Sequence, residues 1–223
     1  MRVDFWIDPG CPFCWATARW VVDEVQPHRD IDITWRPISL LFKNEPDPGT
    51  SWREGLEFTH GVLRVMESVR TTDGNDGVFR LYWEFGARIH HDEETPFDPA
   101  DALAAVGLDV SHAAAFDDES WDAVIRVSMD EALALVGDDV GTPIIAFENA
   151  DVVKAGYFGP VISRIPTTEK SVAMWDALVT MADVDSFFEL KRTRTESPDP
   201  GDRPAPALAG ATDAPTTFAL HSG

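Results

Sequence analysis

The chain has two cysteines, three positions apart near its start, in Cys11-Pro12-Phe13-Cys14. The run before them, Val3-Asp4-Phe5-Trp6-Ile7, reads as a strand, and Trp15 to Val22 reads as a helix. A dithiol at a strand-to-helix junction suits redox chemistry. A helix N-terminus carries partial positive charge and unpaired N–H groups, and both favour a thiolate over a thiol. Cys11 is therefore expected to be the exposed nucleophile, more acidic than a free cysteine, with Cys14 the resolving thiol one turn deeper. Pro12 fits the first helical turn, where its missing N–H is not needed. The i, i+3 spacing puts both sulfurs on one helix face, within reach of a disulfide.

Two blander readings compete. C-x-x-C is a common half of a zinc site, but zinc needs two further thiolate or imidazole ligands. No third cysteine exists, and His28, His60, His90, His91, His112 and His221 are scattered without ligand spacing. A structural disulfide this short would constrain little chain.

A second element that could carry chemistry is Gly141-Thr142-Pro143-Ile144-Ile145. Proline opening a strand cannot donate to the ladder, so it is confined to special positions. With the dithiol on a β-α-β start, a cis Thr142–Pro143 bond is expected. Its backbone N–H and C=O would lie beside Cys11, where they can hold an extended substrate or a mixed disulfide.

The elements that must position these groups follow from periodicity. A strand is predicted over residues 2–8, a helix from Pro12 to Val25, and a second strand over Ile31–Arg36 by its apolar–polar alternation. Pro46, Pro48 and Gly49 mark Asn44 to Thr50 as a loop. A β-α-β start asks for parallel neighbours joined by a right-handed crossover. Helices are predicted from Trp52 to Arg70, Gly77 to His91, Asp98 to Val106, Ser111 to Phe116 and Ser120 to Val136. Strands return at Pro143–Phe147 and Val152–Ala155, linked as a hairpin by Glu148-Asn149-Ala150-Asp151. An amphipathic helix spans Thr168–Met181, and Tyr157-Phe158-Gly159-Pro160 reads as a turn beside the proline. The expected organisation is an α/β domain of residues 1–41 and 141–195, with 52–137 as a helical insertion. Residues 196–223, rich in Pro, Gly, Ala, Thr and Asp, are expected to be a disordered tail.

A chain of 223 residues can bury a full core. Its net charge of −21 argues against nucleic acid and anionic membranes as partners. The acid excess is spread along the chain as a solvated surface. Lys191-Arg192-Thr193-Arg194 stands out as a basic cluster and reads as a salt-bridged face. No charged-then-apolar segment precedes the first strand and no run has the length of a membrane span, so the expected location is cytoplasmic. There a lone C-x-x-C is more often catalytic than structural.

These features resemble the thioredoxin superfamily and its DsbA-like branch, which carries a helical insertion. The match reaches further. Asp4 to Trp15, Gly137 to Pro143, Tyr157 to Pro166 and Phe187 to Thr195 resemble segments of the mycothiol-dependent nitroreductase family, as do Trp52-Arg53-Glu54-Gly55 and Arg88-Ile89-His90. The resemblance spans roughly residues 3–198. It implies a thioredoxin-like fold and a cytosolic dithiol oxidoreductase that reduces disulfides or nitroaromatic compounds. It also implies mycothiol as the low-molecular-weight thiol partner; no tightly bound cofactor and no metal are expected, and the charge and the lack of an apolar span leave no nucleic acid and no membrane among the expected partners. Pro12, Phe13, Thr142, Pro143, Trp52, Asn44 and Tyr157 are the residues expected to meet substrate; Trp52 stands where the family has a tyrosine. Phe13 replaces the family's usual tryptophan and keeps an aromatic wall without the indole N–H. Because Phe13 supplies no positive charge, the couple is expected on the reductase side, nearer thioredoxin at about −270 mV than DsbA at about −120 mV.

Two other functions compete. A kappa-type glutathione transferase or hydroxychromene isomerase shares this fold but activates its thiol with a serine, and Cys14 argues against it. A non-catalytic, peptide-binding DsbA-like domain would use the helical insertion and leave the cysteines idle.

Overall fold

The computed structural model describes residues 1–148 and 155–209. Four strands form one sheet in the order β2-β1-β3-β4: β1 (Arg2–Ile7), β2 (Asp32–Pro37), β3 (Ile144–Glu148) and β4 (Ala155–Phe158). β1 and β2 are parallel, with Phe5 opposite Trp35; β3 is antiparallel to both β1 and β4. Successive side chains of β1 alternate between two cores. Val3, Phe5 and Ile7 face the main one, whereas Trp6 faces Met129 and Ala132 of α5 (Asp122–Val136). The Trp6 indole N–H donates to the Ser128 carbonyl at 2.9 Å, which pins that helix to the sheet.

The helix after the dithiol, α1 (Pro12–Arg19), runs on through a π-helical turn at Trp20–Val25. α2 (Leu40–Asn44) is short and capped by Ser39, so Asn44 closes a helix and does not open the expected loop. The two helices expected on either side of residue 74 form one path, α3 (Ser51–His90). The break between them is Gly74, at φ 61° and ψ −151°, a conformation open to glycine alone. α3 reaches the sheet side through Gly86, where an added Cβ would lie 2.3 Å from the Trp15 ring. α4 (Pro99–Ala105) and two 3-10 segments fill the remaining span before α5. Thus the helical insertion lies between β2 and β3, and the fold is thioredoxin-like with that insertion.

The second strand of the hairpin is β4 at Ala155–Phe158, so Tyr157 and Phe158 are strand residues and not a turn. The expected Val152–Lys154 portion and the linking turn lie outside the described residues. α6 (Thr168–Ala182) lays Trp175 against Trp20 and Phe147. Of the tail expected from residue 196, residues 196–209 are among the described residues and make side-chain contacts to the helices. The Arg19 guanidinium donates to the Asp202 carbonyl at 2.9 Å, and Arg203 forms a forked pair with Asp92. Tail composition does not reveal these partners, because Arg19 and Asp92 come from distant helix ends.

Candidate active site

Both cysteines are free thiols at the β1–α1 junction. Cys11 caps α1, and its sulfur accepts from the Cys14 N–H at 3.4 Å. Pro12 occupies the first helical turn and is exposed; Phe13 is half-buried. Thr142–Pro143 is cis, and the Cys11 thiol donates to the Thr142 carbonyl at 3.7 Å. The expected juxtaposition of dithiol and proline loop is therefore present. The Thr142 hydroxyl is close enough to draw the Cys11 pKa down, yet it has no hydrogen-bond partner although Thr142 is 7% exposed. Such an orphaned donor is open to a thiolate or to an incoming group.

Cys14 is fully buried. Its thiol donates to the Trp6 carbonyl at 3.8 Å, and the Tyr82 hydroxyl of α3 donates to its sulfur at 3.9 Å. Asp8, at the end of β1, is 1% exposed. Its carboxylate accepts from Gly10 N–H at 2.9 Å and Leu40 N–H at 2.7 Å. Burial pushes its pKa up to about 6, partly offset by Leu40, Gly10 and Thr59.

Thiol acidity corrects one expectation. Burial pushes the Cys11 thiol up, not down, and the nearby Asp8 charge adds to that; Thr142 and the Cys14 and Phe13 N–H groups pull back only in part. The helix N-terminus is present but desolvation outweighs it. Cys14 is pushed further up, first by burial and then by the charge of Cys11.

α3 holds this loop from behind. A Cβ on Gly10 would meet Thr59 at 2.8 Å, and the half-buried His90 ring bonds the Pro9 carbonyl at 2.8 Å. His60 bridges Ser39 and Asp122, each at 2.9 Å, and Arg64 completes the Asp122 pair at 2.6 Å. The arrangement that satisfies every group is neutral His60 donating through Nε2 to Asp122 and accepting the Ser39 hydroxyl at Nδ1. Burial lowers the His60 pKa, consistent with that neutral form. Ser39 in turn caps α2, whose first N–H, that of Leu40, holds Asp8.

Other expected substrate contacts fall elsewhere. Trp52 is 56% exposed near the start of α3, and Asn44 is exposed at the end of α2. The Tyr157 hydroxyl donates to the Met181 and Phe187 carbonyls, so it anchors the segment after α6. Neither Asp8 nor Tyr82 was among the residues expected to meet substrate; Tyr82 reaches Cys14 from the middle of α3, where no local motif marks it. A surface cavity lined by Glu57, Phe58, Pro96, Phe97 and Phe116 includes neither cysteine. Among the described residues, no group of three or more His, Cys, Asp or Glu is placed to hold a metal, and no helix is long and apolar enough to cross a membrane.

A sheet-end dithiol facing a cis-proline loop, under a helical insertion, defines a DsbA-like thiol oxidoreductase of the thioredoxin superfamily. Solved structures share the fold. They include the cytosolic disulfide reductase DsbM from Pseudomonas aeruginosa with GSH, at TM-score 0.52 and 14% identity over 81% of this chain and 100% of that one. Another is a probable DsbA oxidoreductase, SCO1869, from Streptomyces coelicolor, at TM-score 0.54 and 18% identity over 92% and 99%. An uncharacterised Mycobacterium tuberculosis protein, Rv2286c, is 28% identical over 201 residues, covering 86% of this chain and 82% of the relative. The family profile described as Rv2466c-like, mycothiol-dependent nitroreductase Rv2466c, matches residues 10–192, and the chain belongs to that family.

Proposed function

We propose that the protein is a cytoplasmic dithiol reductase that draws electrons from mycothiol and passes them to disulfides or nitroaromatic compounds. The observation that carries this reading is the pair Cys11 and Cys14 in reach of each other, with Cys11 against the Thr142 carbonyl beside cis Pro143. Cys11 thiolate attacks one sulfur of a substrate disulfide, forming a mixed disulfide and expelling the other half as thiolate. Cys14 thiolate then attacks the Cys11 sulfur, releases the second half and closes the Cys11–Cys14 disulfide. Two mycothiol molecules reopen it, the first as a mixed disulfide on Cys11 and the second leaving as mycothiol disulfide. For a nitro group, one dithiol oxidation supplies two electrons and two protons, giving a nitroso group and water.

Asp8 is the base in this scheme. Buried, with its charge felt by both thiols and a pKa near 6, it takes the Cys14 proton when the resolving attack begins. The thiol energetics favour reduction of substrate. A strongly oxidising couple has a stabilised thiolate in its reduced form, whereas burial here destabilises the Cys11 thiolate. Thr142 and Pro143 hold the substrate backbone or glycoside edge, and Pro12 and Phe13 form the rim.

The test offers reduced mycothiol, glutathione and a thioredoxin separately to the oxidised protein and follows dithiol recovery. Mycothiol is expected to be fastest. Faster recovery with glutathione or thioredoxin overturns the donor assignment, and failure to turn over any disulfide or nitroarene overturns the reductase reading.

A further inference from the structure

Arginines in this chain mostly have carboxylate partners, as expected with 18 basic residues against 39 acidic ones. Arg19 pairs with Asp23, Arg64 with Asp122, Arg88 with Glu84 and Arg203 with Asp92. Arg194 departs from this. Among the described residues no carboxylate pairs with it, nor with Lys191 or Arg192, so the basic cluster is not the salt-bridged face its sequence suggests. Arg194 is exposed, and its guanidinium carbon lies 4.9 Å from the centroid of the Phe13 ring, the residue between the two cysteines.

The position is built by two anchors. Tyr157 holds the start of the segment through the Met181 and Phe187 carbonyls and a ring contact with Phe187 at 5.7 Å. Arg164 and Ser163 hold its far end, bonding the Glu196 carboxylate at 3.0 Å and the Glu196 carbonyl at 3.4 Å. Residues 188–195 cross between these anchors without regular secondary structure, and Arg194 falls two residues before the second.

We propose that Arg194, seated on Phe13, forms an anion-accepting subsite at the mouth of the dithiol, taking the carboxylate of a small aromatic or aliphatic substrate. The proposal rests on the reductase reading and names a substrate class for it. An aromatic face steadies a guanidinium while leaving its N–H fork free, and that fork matches a carboxylate. A net charge of −21 repels anions from the surface at large, so admitting one to Cys11 needs a local cation. Arg194 is not among the leading groups that set Cys11 acidity, which are burial, Thr142, the Cys14 and Phe13 N–H groups and Asp8. Its effect falls on the incoming molecule.

The experiment compares the rates at which iodoacetate and iodoacetamide alkylate Cys11 of the reduced protein, read by peptide mass. Both reagents meet the same thiolate, so their ratio cancels thiol acidity. Arg194→Gln is expected to lower the iodoacetate-to-iodoacetamide ratio by roughly three- to fivefold, the range of an exposed ion pair. Arg194→Lys should keep most of the ratio. Arg2→Gln, which changes net charge equally at a remote site, should leave it unchanged. An unchanged ratio in Arg194→Gln, or an equal fall in Arg2→Gln, overturns the subsite. In parallel, mycothiol-driven turnover of anionic 5,5′-dithiobis(2-nitrobenzoate) should rise in KM in Arg194→Gln, while neutral 2,2′-dithiodipyridine does not. If neither disulfide turns over in the wild type, the reductase reading fails, and the alkylation ratio still decides the subsite.

Discussion

One side of the dithiol is made of loops at strand ends, and the other of a single long helix. The loops, Asp8 to Cys14 and Thr142–Pro143, bring the reacting sulfurs, a carboxylate and a backbone carbonyl together. The helix α3 brings Thr59, His60, Tyr82 and His90, none of which has a bond to break. From α3, Thr59 and Tyr82 pull down the pKa of Asp8 and of Cys14 against the larger upward push of burial. Tyr82 bonds Cys14, Thr59 flanks Asp8, and His60 holds the Ser39 cap that presents the Leu40 N–H to Asp8. In the proposed mechanism the loop wall supplies the atoms that react, and the helix wall adjusts how readily Asp8 and Cys14 are charged. Substitutions on the two walls should therefore differ in kind.

The largest effect belongs to the loop wall. Cys11→Ser should lower turnover by about three orders of magnitude or more, because the nucleophile is gone. Cys14→Ser should instead accumulate a mixed disulfide between Cys11 and the small thiol, since no resolving sulfur remains. Intact-mass measurement after exposure to oxidised mycothiol reads both. An adduct on Cys14, or turnover that survives without Cys11, would reverse the roles of the two sulfurs.

Asp8 joins the two walls, and its effect should come next. Its folded pKa near 6 lies above the ordinary 3.8, so folding favours the protonated acid. The stability this contributes is present below about pH 4 and is lost as pH rises through 6, by up to about 3 kcal/mol at 1.36 kcal/mol per unit. Urea unfolding of wild type and Asp8→Asn at pH 4, 5, 6 and 7 isolates it: the difference between the two should change by that amount across the window and level off above it. The same variant should slow release of product by Cys14 about ten- to a hundredfold while Cys11 still forms its adduct. A pH-independent difference would mean that burial does not govern this carboxylate.

These two walls were unequally visible in the sequence. Cys11, Cys14 and Thr142-Pro143 are local motifs, and local chemistry made them legible. The strand alternation of Ile31–Arg36 and the capping residue Asp98, which begins α4 as its type requires, were legible in the same way. The surroundings of Asp8 were not legible, because its partners Leu40 and Thr59 lie over thirty positions away in the chain. The acidity of Cys11 failed for the same reason: a helix N-terminus can be read from spacing, but its desolvation cannot. Trp52 and Asn44 came from resemblance alone, and both are exposed. The contacts of residues 196–209 were not legible because Arg19 and Asp92, their partners, look like any surface charges until the fold brings them to the tail.

His60 tests whether the helix wall works at a distance. Replacing it with Gln should cost about 1–3 kcal/mol, since Ser39 and Asp122 lose a shared partner in a mostly buried site. A merely structural role ends there. If His60 positions the Ser39 cap, the Leu40 N–H is held less well against Asp8, and the midpoint of the Asp8 stability change should move above pH 6. An unmoved midpoint in a folded variant would confine His60 to stability.

The smallest effect, and the sharpest test of the comparison, is Tyr82→Phe. The hydroxyl donates to Cys14 at 3.9 Å, a long contact to sulfur, and it favours the thiolate. Removing one oxygen from a fully buried ring leaves the packing against Trp15 and Trp35 in place. Stability should change by only about 1 kcal/mol. The resolving step should slow by about two- to fivefold at neutral pH, because the Cys14 thiolate loses a donor and its pKa rises further. Formation of the Cys11 adduct should keep its rate, and the slowing should shrink as pH approaches the Cys14 pKa and the thiolate forms unaided. Single-turnover kinetics with a chromogenic disulfide separate the two steps across pH. Equal slowing of both steps, or slowing that does not change with pH, would mean that Tyr82 fills space and that α3 does not tune the sulfur it touches.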